Sequence, residues 1–185
     1  STSDNRLSRI TLPTENEASW RFTYDFEQGD QLCIKEVHTP TGAREEIYYL
    51  DTGHEFPDSS GLRPLPRVNR HIIYPGLEQP AVDVRYTYGN NQNRRHNFLG
   101  AGLNITWDSN GLDNLYKHFT SDYDYVCTES LWVDGKAVRS IERTFNRLHL
   151  QTLEVTTQNT NVQTVETTYN IQPGVRFKDQ PSDCQ

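Results

Sequence analysis

The apolar residues of this chain fall in short alternating runs, not at helical intervals. Trp20 to Phe26, Leu32 to His38 and Glu45 to Leu50 are rich in Tyr, Phe, Val and Ile, and turn residues part them. Such runs predict half-buried β-strands. Gln28-Gly29-Asp30 separates the first two. Thr39-Pro40-Thr41-Gly42 separates the next, with Pro presetting φ at the second position of a β-turn and Gly easing the exit. Val68 to Tyr74 and Val82 to Tyr88 form a further pair joined through Pro75-Gly76.

The clearest hairpin follows. Tyr123 to Val133 runs into Asp134-Gly135 and returns as Lys136 to Asn146. Asp-Gly suits a type I′ turn, in which both central residues take positive φ. A two-residue loop sets Val133 against Lys136. An unbroken ladder from there places Leu131 against Val138 and Val126 against Arg143. A last hairpin, Leu150 to Gln158 and Asn161 to Tyr169, turns at Asn159-Thr160 and carries seven threonines between residues 151 and 170. Neither ribbon has a cleanly apolar face, so both need neighbouring chain to pack against.

Only one stretch has helical spacing. Leu112, Leu115, Tyr116 and Phe119 stand at i, i+3, i+4 and i+7, with Asp108 or Asn110 available as N-cap. Residues 51–66 and 171–185 read as loops from their Gly, Pro and Ser content. The expectation is an all-β fold, mainly antiparallel hairpins, with one short helix near 111–119, and residues 1–185 as a single β-rich segment.

Composition changes this picture in two ways. Only 34% of the 185 residues are hydrophobic, against roughly 45% or more in an ordinary domain on a count that includes glycine. The core is therefore thin. Yet 11% are aromatic, ten of them tyrosines, which is the reverse of a disordered chain. The net charge of −7 argues against a phosphate-backbone binder, so no nucleic-acid partner is expected. No apolar run approaches the ~20 residues of a membrane-spanning helix, and no signal-peptide pattern is visible. A chain that starts at Ser1 and holds no methionine reads as a piece or processed product of something longer.

Candidate chemistry is sparse. Cys33, Cys127 and Cys184 stand at wide spacings with no CxxC pair, which excludes a zinc ribbon; three free thiols is the simpler reading, with one disulfide open. Asp108, Asn110 and Asp113 offer oxygen ligands around Gly111, a weak Ca2+ candidate lacking the bidentate Glu of an EF-hand. The plainer reading is a turn whose Asp and Asn cap helix amides. His54-Glu55 is the one adjacent acid–base couple, but Gly53 and Pro57 around it suggest a loop staple, and no cofactor or catalytic residue is nominated. Trp20, Trp107 and Trp132, with the tyrosines, could stack on sugar faces; cross-strand aromatic pairing is the competing reading.

One feature organises the rest. Tyr24-Asp25 and Tyr48-Tyr49, closing at Asp51, stand 24 to 25 residues apart, and Phe145-Asn146 and Tyr169-Asn170 are also separated by 24. Each interval holds two strands and a turn, the mark of a repeat array. The stretch through Tyr24, Asp25, Gly29, Leu32, Gly42, Tyr49 and Asp51 resembles the YD (or RHS) repeat. It departs from that pattern in the three residues between Asp25 and Gly29, in Asp30 where Arg is usual, and in Asn146 and Asn170 where Asp is usual. The blocks 51–57, 65–68 with 75–80, 97–100 and 107–116 are similar to RHS-containing proteins related to the insecticidal toxin-complex B and C components.

The resemblance implies a non-enzymatic segment of a secreted or cell-surface β-shell enclosing a toxic effector that lies outside these residues. Its partners would be neighbouring repeats or toxin-complex subunits. The alternative is a module binding surface glycans through exposed Trp and Tyr.

Overall fold

The computed structural model describes residues 6–14, 16–27, 31–50, 53–89, 101–102, 105, 107–108 and 120–182. Ten strands form one antiparallel sheet: β1 (Arg9–Thr11), β2 (Ser19–Glu27), β3 (Gln31–His38), β4 (Arg44–Tyr49), β5 (Val68–Tyr74), β6 (Val82–Tyr88), β7 (Asp124–Val133), β8 (Lys136–Asn146), β9 (Gln151–Gln158) and β10 (Asn161–Glu166). Their spatial order is their chain order. The all-β expectation holds. The segment expected to be helical, 111–119, lies outside the described residues.

The turns form for the local reasons their sequences give. Asp134 and Gly135 take φ of 50° and 76°, the two positive values of a type I′ turn. Gly42 takes φ of 90° after its amide bonds to the Thr39 carbonyl at 3.1 Å. Asn159 opens the β9–β10 turn at φ of 54°, as its short polar side chain permits.

Three details differ from expectation. Val133 does face Lys136, but the register shifts between Leu131 and Trp132. Leu131 therefore faces Arg139, not Val138, and Val126 faces Thr144, not Arg143. A β-bulge adds one residue to one strand and so moves every later pair. β1 is only three residues long, too short to show alternation. The expected loops contain single 3-10 turns, at Asp58–Ser60 and Phe177–Asp179.

Among the described residues no second sheet covers this one. Buried hydrophobic residues are few: Cys33, Ile72 and Ile141 in the sheet and Leu148 in the β8–β9 turn, with Pro57 fully enclosed in the β4–β5 connection. Polar pairing across strands takes over on one face, where opposite residues share a side. There Arg44 lies 4.1 Å from the Tyr74 ring centre, and Tyr48 donates to Glu46 at 2.8 Å. Arg70 forms two bonds to Asp83 at 2.8 and 2.9 Å, and Arg85 lies between Asp83 and the Trp132 ring, 3.9 Å from its centre. The row crosses β4 to β7. Each exposed link contributes at most about 1 kcal/mol.

Because the strands run as a meander, connections alternate between the two ends of the sheet. One end carries only short links: 12–18, 39–43, 75–81, 134–135 and 159–160. The other carries the long ones, 50–67 and 89–123, together with the tail after β10. The 53–66 stretch folds on itself through a His54–Leu65 bridge, bonded both ways at 2.8 and 2.9 Å. Gly53 is required there, since a Cβ would stand 2.1 Å from the Leu65 carbonyl oxygen.

Arg147, 6% exposed, pins the tail. Its Nη2 donates to the Val175 and Gln172 carbonyls at 2.6 and 3.4 Å, and its Nε to Asp122 at 2.9 Å. Gln180 Nε2 also donates to both carbonyls at 2.9 Å, so removing Arg147 takes away one of two donors to each and the charged partner of Asp122. Arg147→Ala should cost about 2 kcal/mol in urea unfolding and expose residues 171–182 to limited proteolysis; an unchanged cleavage pattern would refute the clamp.

Candidate functional site

The strands place one kind of side chain in the same spot again and again. A tyrosine in the second half of an even-numbered strand, or just beyond it, donates its hydroxyl to a backbone carbonyl in the first half of the strand before it, or just ahead of that strand. Tyr24 bonds to Leu7 at 2.8 Å, Tyr49 to Ile34 at 2.9 Å, Tyr88 to Val68 at 2.8 Å and Tyr169 to Gln151 at 3.0 Å. In the β7–β8 hairpin the corresponding residue is Phe145, which has no hydroxyl. Its ring stacks instead on Tyr125 at 5.2 Å and 17°. Register shifts stand directly before Tyr24, Tyr49 and Phe145. Each hairpin is thus closed by an aromatic at the end where the long connections leave.

At that end, between β3 and β6, lies a groove of about 620 Å³. Leu32, Ile34, Ile47, Val68, Tyr49, Tyr86 and Tyr88 line it, with Cys33 also at its wall. Its charged group is Glu45, bonded to His71 Nε2 at 2.9 Å. Burial raises the Tyr86 phenol, and nearby Glu129 adds to the shift.

Beside the groove a tight cluster forms around Tyr88. The ring of His54 meets it edge-on at 5.4 Å, and the buried Arg67 guanidinium lies 4.9 Å from its centre. Burial lowers Arg67, against the pull of Tyr88, Glu55 and Cys127. Burial likewise raises the Cys127 thiol, although Arg143 and Arg67 oppose the shift. Cys127 is therefore a poor nucleophile. His54 serves as a bridge residue of the loop, next to Gly53 and the enclosed Pro57.

The sequence candidates are not gathered together. Trp20 lies on β2 opposite Ile10, Trp132 on β7 under Arg85, and Trp107 meets Phe56 edge-on at 5.7 Å in the β6–β7 connection. β2 and β7 stand five strand spacings of ~4.8 Å apart. Asp108 is half-buried, while Asn110 and Asp113 lie outside the described residues. Among the described residues no three His, Cys, Asp or Glu side chains form a metal-binding group. Of the repeat-motif residues, Tyr24 and Tyr49 make the hydroxyl bonds above, and Asp25 accepts the Phe26 amide at 2.8 Å. Leu32 lines the groove and Gly42 closes its turn; Gly29 and Asp51 lie outside the described residues. Among the described residues neither Cys33 nor Cys127 forms a disulfide, and Cys184 lies outside them.

Sequence reasoning missed Tyr88 as a repeat position and both buried arginines. An aromatic in the second half of every second strand, or just beyond it, was the signal available for the first. For Arg67 and Arg147 no local pattern marks burial.

Burial pushes the Tyr88 phenol up from 10.0 to about 12, with Cys127 adding and Arg67 opposing. Tyr125 is also raised, mainly by burial. A raised folded-state value contributes stability that is complete below the unfolded value and lost as pH climbs through the folded one. Stability should thus fall from about pH 10 upward. Tyr88→Phe should cost about 1 kcal/mol at neutral pH and shallow that alkaline decline; chemical denaturation at pH 7 and pH 11 measures both, and an alkaline limb as steep as wild type would contradict the assignment.

Comparison with known proteins gives no match among family models, curated proteins or solved structures.

Proposed function

We propose that the chain is a non-enzymatic structural segment of a larger, secreted RHS/YD-repeat shell. Its task is to enclose or present an effector carried elsewhere, in contact with neighbouring repeats or toxin-complex subunits. The observation that carries this reading is the recurring hairpin closed by an aromatic, with each strand paired only to its neighbours in sequence. In such an array each unit buries its apolar surface against the next, and stability is a sum of near-identical increments.

The thin core supports the same reading. A sheet with three buried hydrophobics among its described residues is built to be one layer, with the groove between β3 and β6 as an apolar seat for more chain. Its edge strands β1 and β10 are both exposed along their whole length, and the longer, β10, leaves a row of outward N–H and C=O groups that a following strand could pair.

Hydrogen exchange tests this. In a product of the same reading frame extended at both ends, the outward amides of β1 and β10 should exchange at least about tenfold more slowly than in the 185-residue chain. Equal exchange in the two would sink the shell reading. So would robust, saturable glycan binding lost on Trp107→Ala or Trp132→Ala, which would support the surface-binding alternative.

A further inference from the structure

The two edges of the sheet are not equivalent. β1 has three residues, begins with Arg9 and is followed at once by Leu12 and Pro13. A short, charged strand that runs into proline is a blunted edge. β10 has six residues, Asn-Val-Gln-Thr-Val-Glu, all exposed, with Val162 at 64%. It contains no Pro, no Lys and no bulge, and Glu166 is its one charge. The tail does not cover it, because Arg147 holds residues 172 and 175 at the β8–β9 turn.

The hydrogen-bond phase of this edge is fixed. Gln158 faces Asn161 across a two-residue turn, and the Thr167 amide bonds to the Thr152 carbonyl at 2.9 Å. The odd-numbered residues of β10 therefore bond inward to β9. Val162, Thr164 and Glu166 direct their N–H and C=O groups outward. We propose that this edge is an association surface for a second copy of the chain, paired antiparallel to its own β10 about a two-fold axis at Thr164.

The register follows from symmetry. Residues directly opposite must share a face, so the pairing must join positions of like parity. Centring on Thr164 joins Thr164 to its counterpart and Val162 to the partner's Glu166. All three outward residues then exchange bonds, about six in total. Centring on Gln163 engages only Val162 and Thr164, for about four. The Thr164 register also keeps the two Glu166 carboxylates apart at opposite ends, ~14 Å from one another, and places Gln163 against the partner's Val165. Backbone bonds rather than apolar burial supply the affinity, so the dimer is weak and concentration-dependent. The proposal does not depend on the shell reading. The dimer is a property of the 185-residue chain, because an adjoining repeat paired to β10 would take up the same outward groups; a chain that stays monomeric overturns the dimer and leaves the shell reading standing.

Sedimentation velocity of the full chain from about 10 to about 500 μM tests it, a span centred on weak binding. A monomer–dimer equilibrium is expected. Thr164→Pro removes an outward N–H while sparing the β9 ladder, as edge prolines do, and should weaken dimerisation at least about tenfold with the circular dichroism of the wild type. Thr164→Lys and Thr164→Glu should each be monomeric, since like charges meet at the axis, and their equal mixture should regain a heterodimer. A wild type that is monomeric throughout overturns the proposal. So do variants that dimerise as the wild type does, or single-charge variants whose mixture recovers nothing.

Discussion

The hydroxyl of a tyrosine, donated back across its hairpin to a main-chain carbonyl, is the bond on which this architecture turns. Tyr24, Tyr49, Tyr88 and Tyr169 each make it. A two-stranded ribbon alone is marginal in water, and these hairpins have no covering layer among the described residues. The tyrosine closes the open end of the ribbon twice over. Its ring covers the neighbouring strand, and its hydroxyl satisfies a carbonyl where the register is irregular or the ladder ends. At Tyr24 and Tyr49 the shift in pairing immediately precedes the ring.

A sheet closed in this way has little use for a deep core. The row from Arg44 through Tyr74, Arg70, Asp83 and Arg85 to Trp132 substitutes charged and aromatic pairs for apolar packing on one face. The Arg70 and Arg85 guanidiniums hold the Asp83 carboxyl below the usual carboxylate range. Each link is modest and screened, but the row ties four successive strands. The buried arginines act differently. Arg67 lies against the Tyr88 ring and Arg147 reads two carbonyls of the tail, so both anchor long connections to the sheet.

Much of this was legible in the sequence because turns are local chemistry. Asp134-Gly135, Pro75-Gly76 and Asn159 set the hairpin limits, and nine of the ten strands follow from alternation between them. Register was legible only at the turn itself. The bulge beside Trp132 is decided by packing across strands, which no single ribbon records. The repeat was half visible. Tyr24 and Tyr49, and Phe145 and Tyr169, keep a spacing of about one hairpin, whereas Tyr88 follows Tyr49 by 39 residues and precedes Phe145 by 57. The connections at 50–67 and 89–123 stretch those intervals without altering the hairpins they join. The sugar candidates were chosen for residue type alone, and the tryptophans fall on β2, β7 and a connection.

The meander order carries a kinetic meaning. Every strand pairs with the one made just before it, so no pairing waits for a distant part of the chain. Low sequence separation between partners favours rapid folding, and a ribosome that emits β1 first supplies each new strand with a finished template. The two long connections are the slow points, since closing a longer loop costs more entropy, though the cost grows only logarithmically. During synthesis the growing edge therefore advances along the sheet one strand at a time, from β1 towards β10.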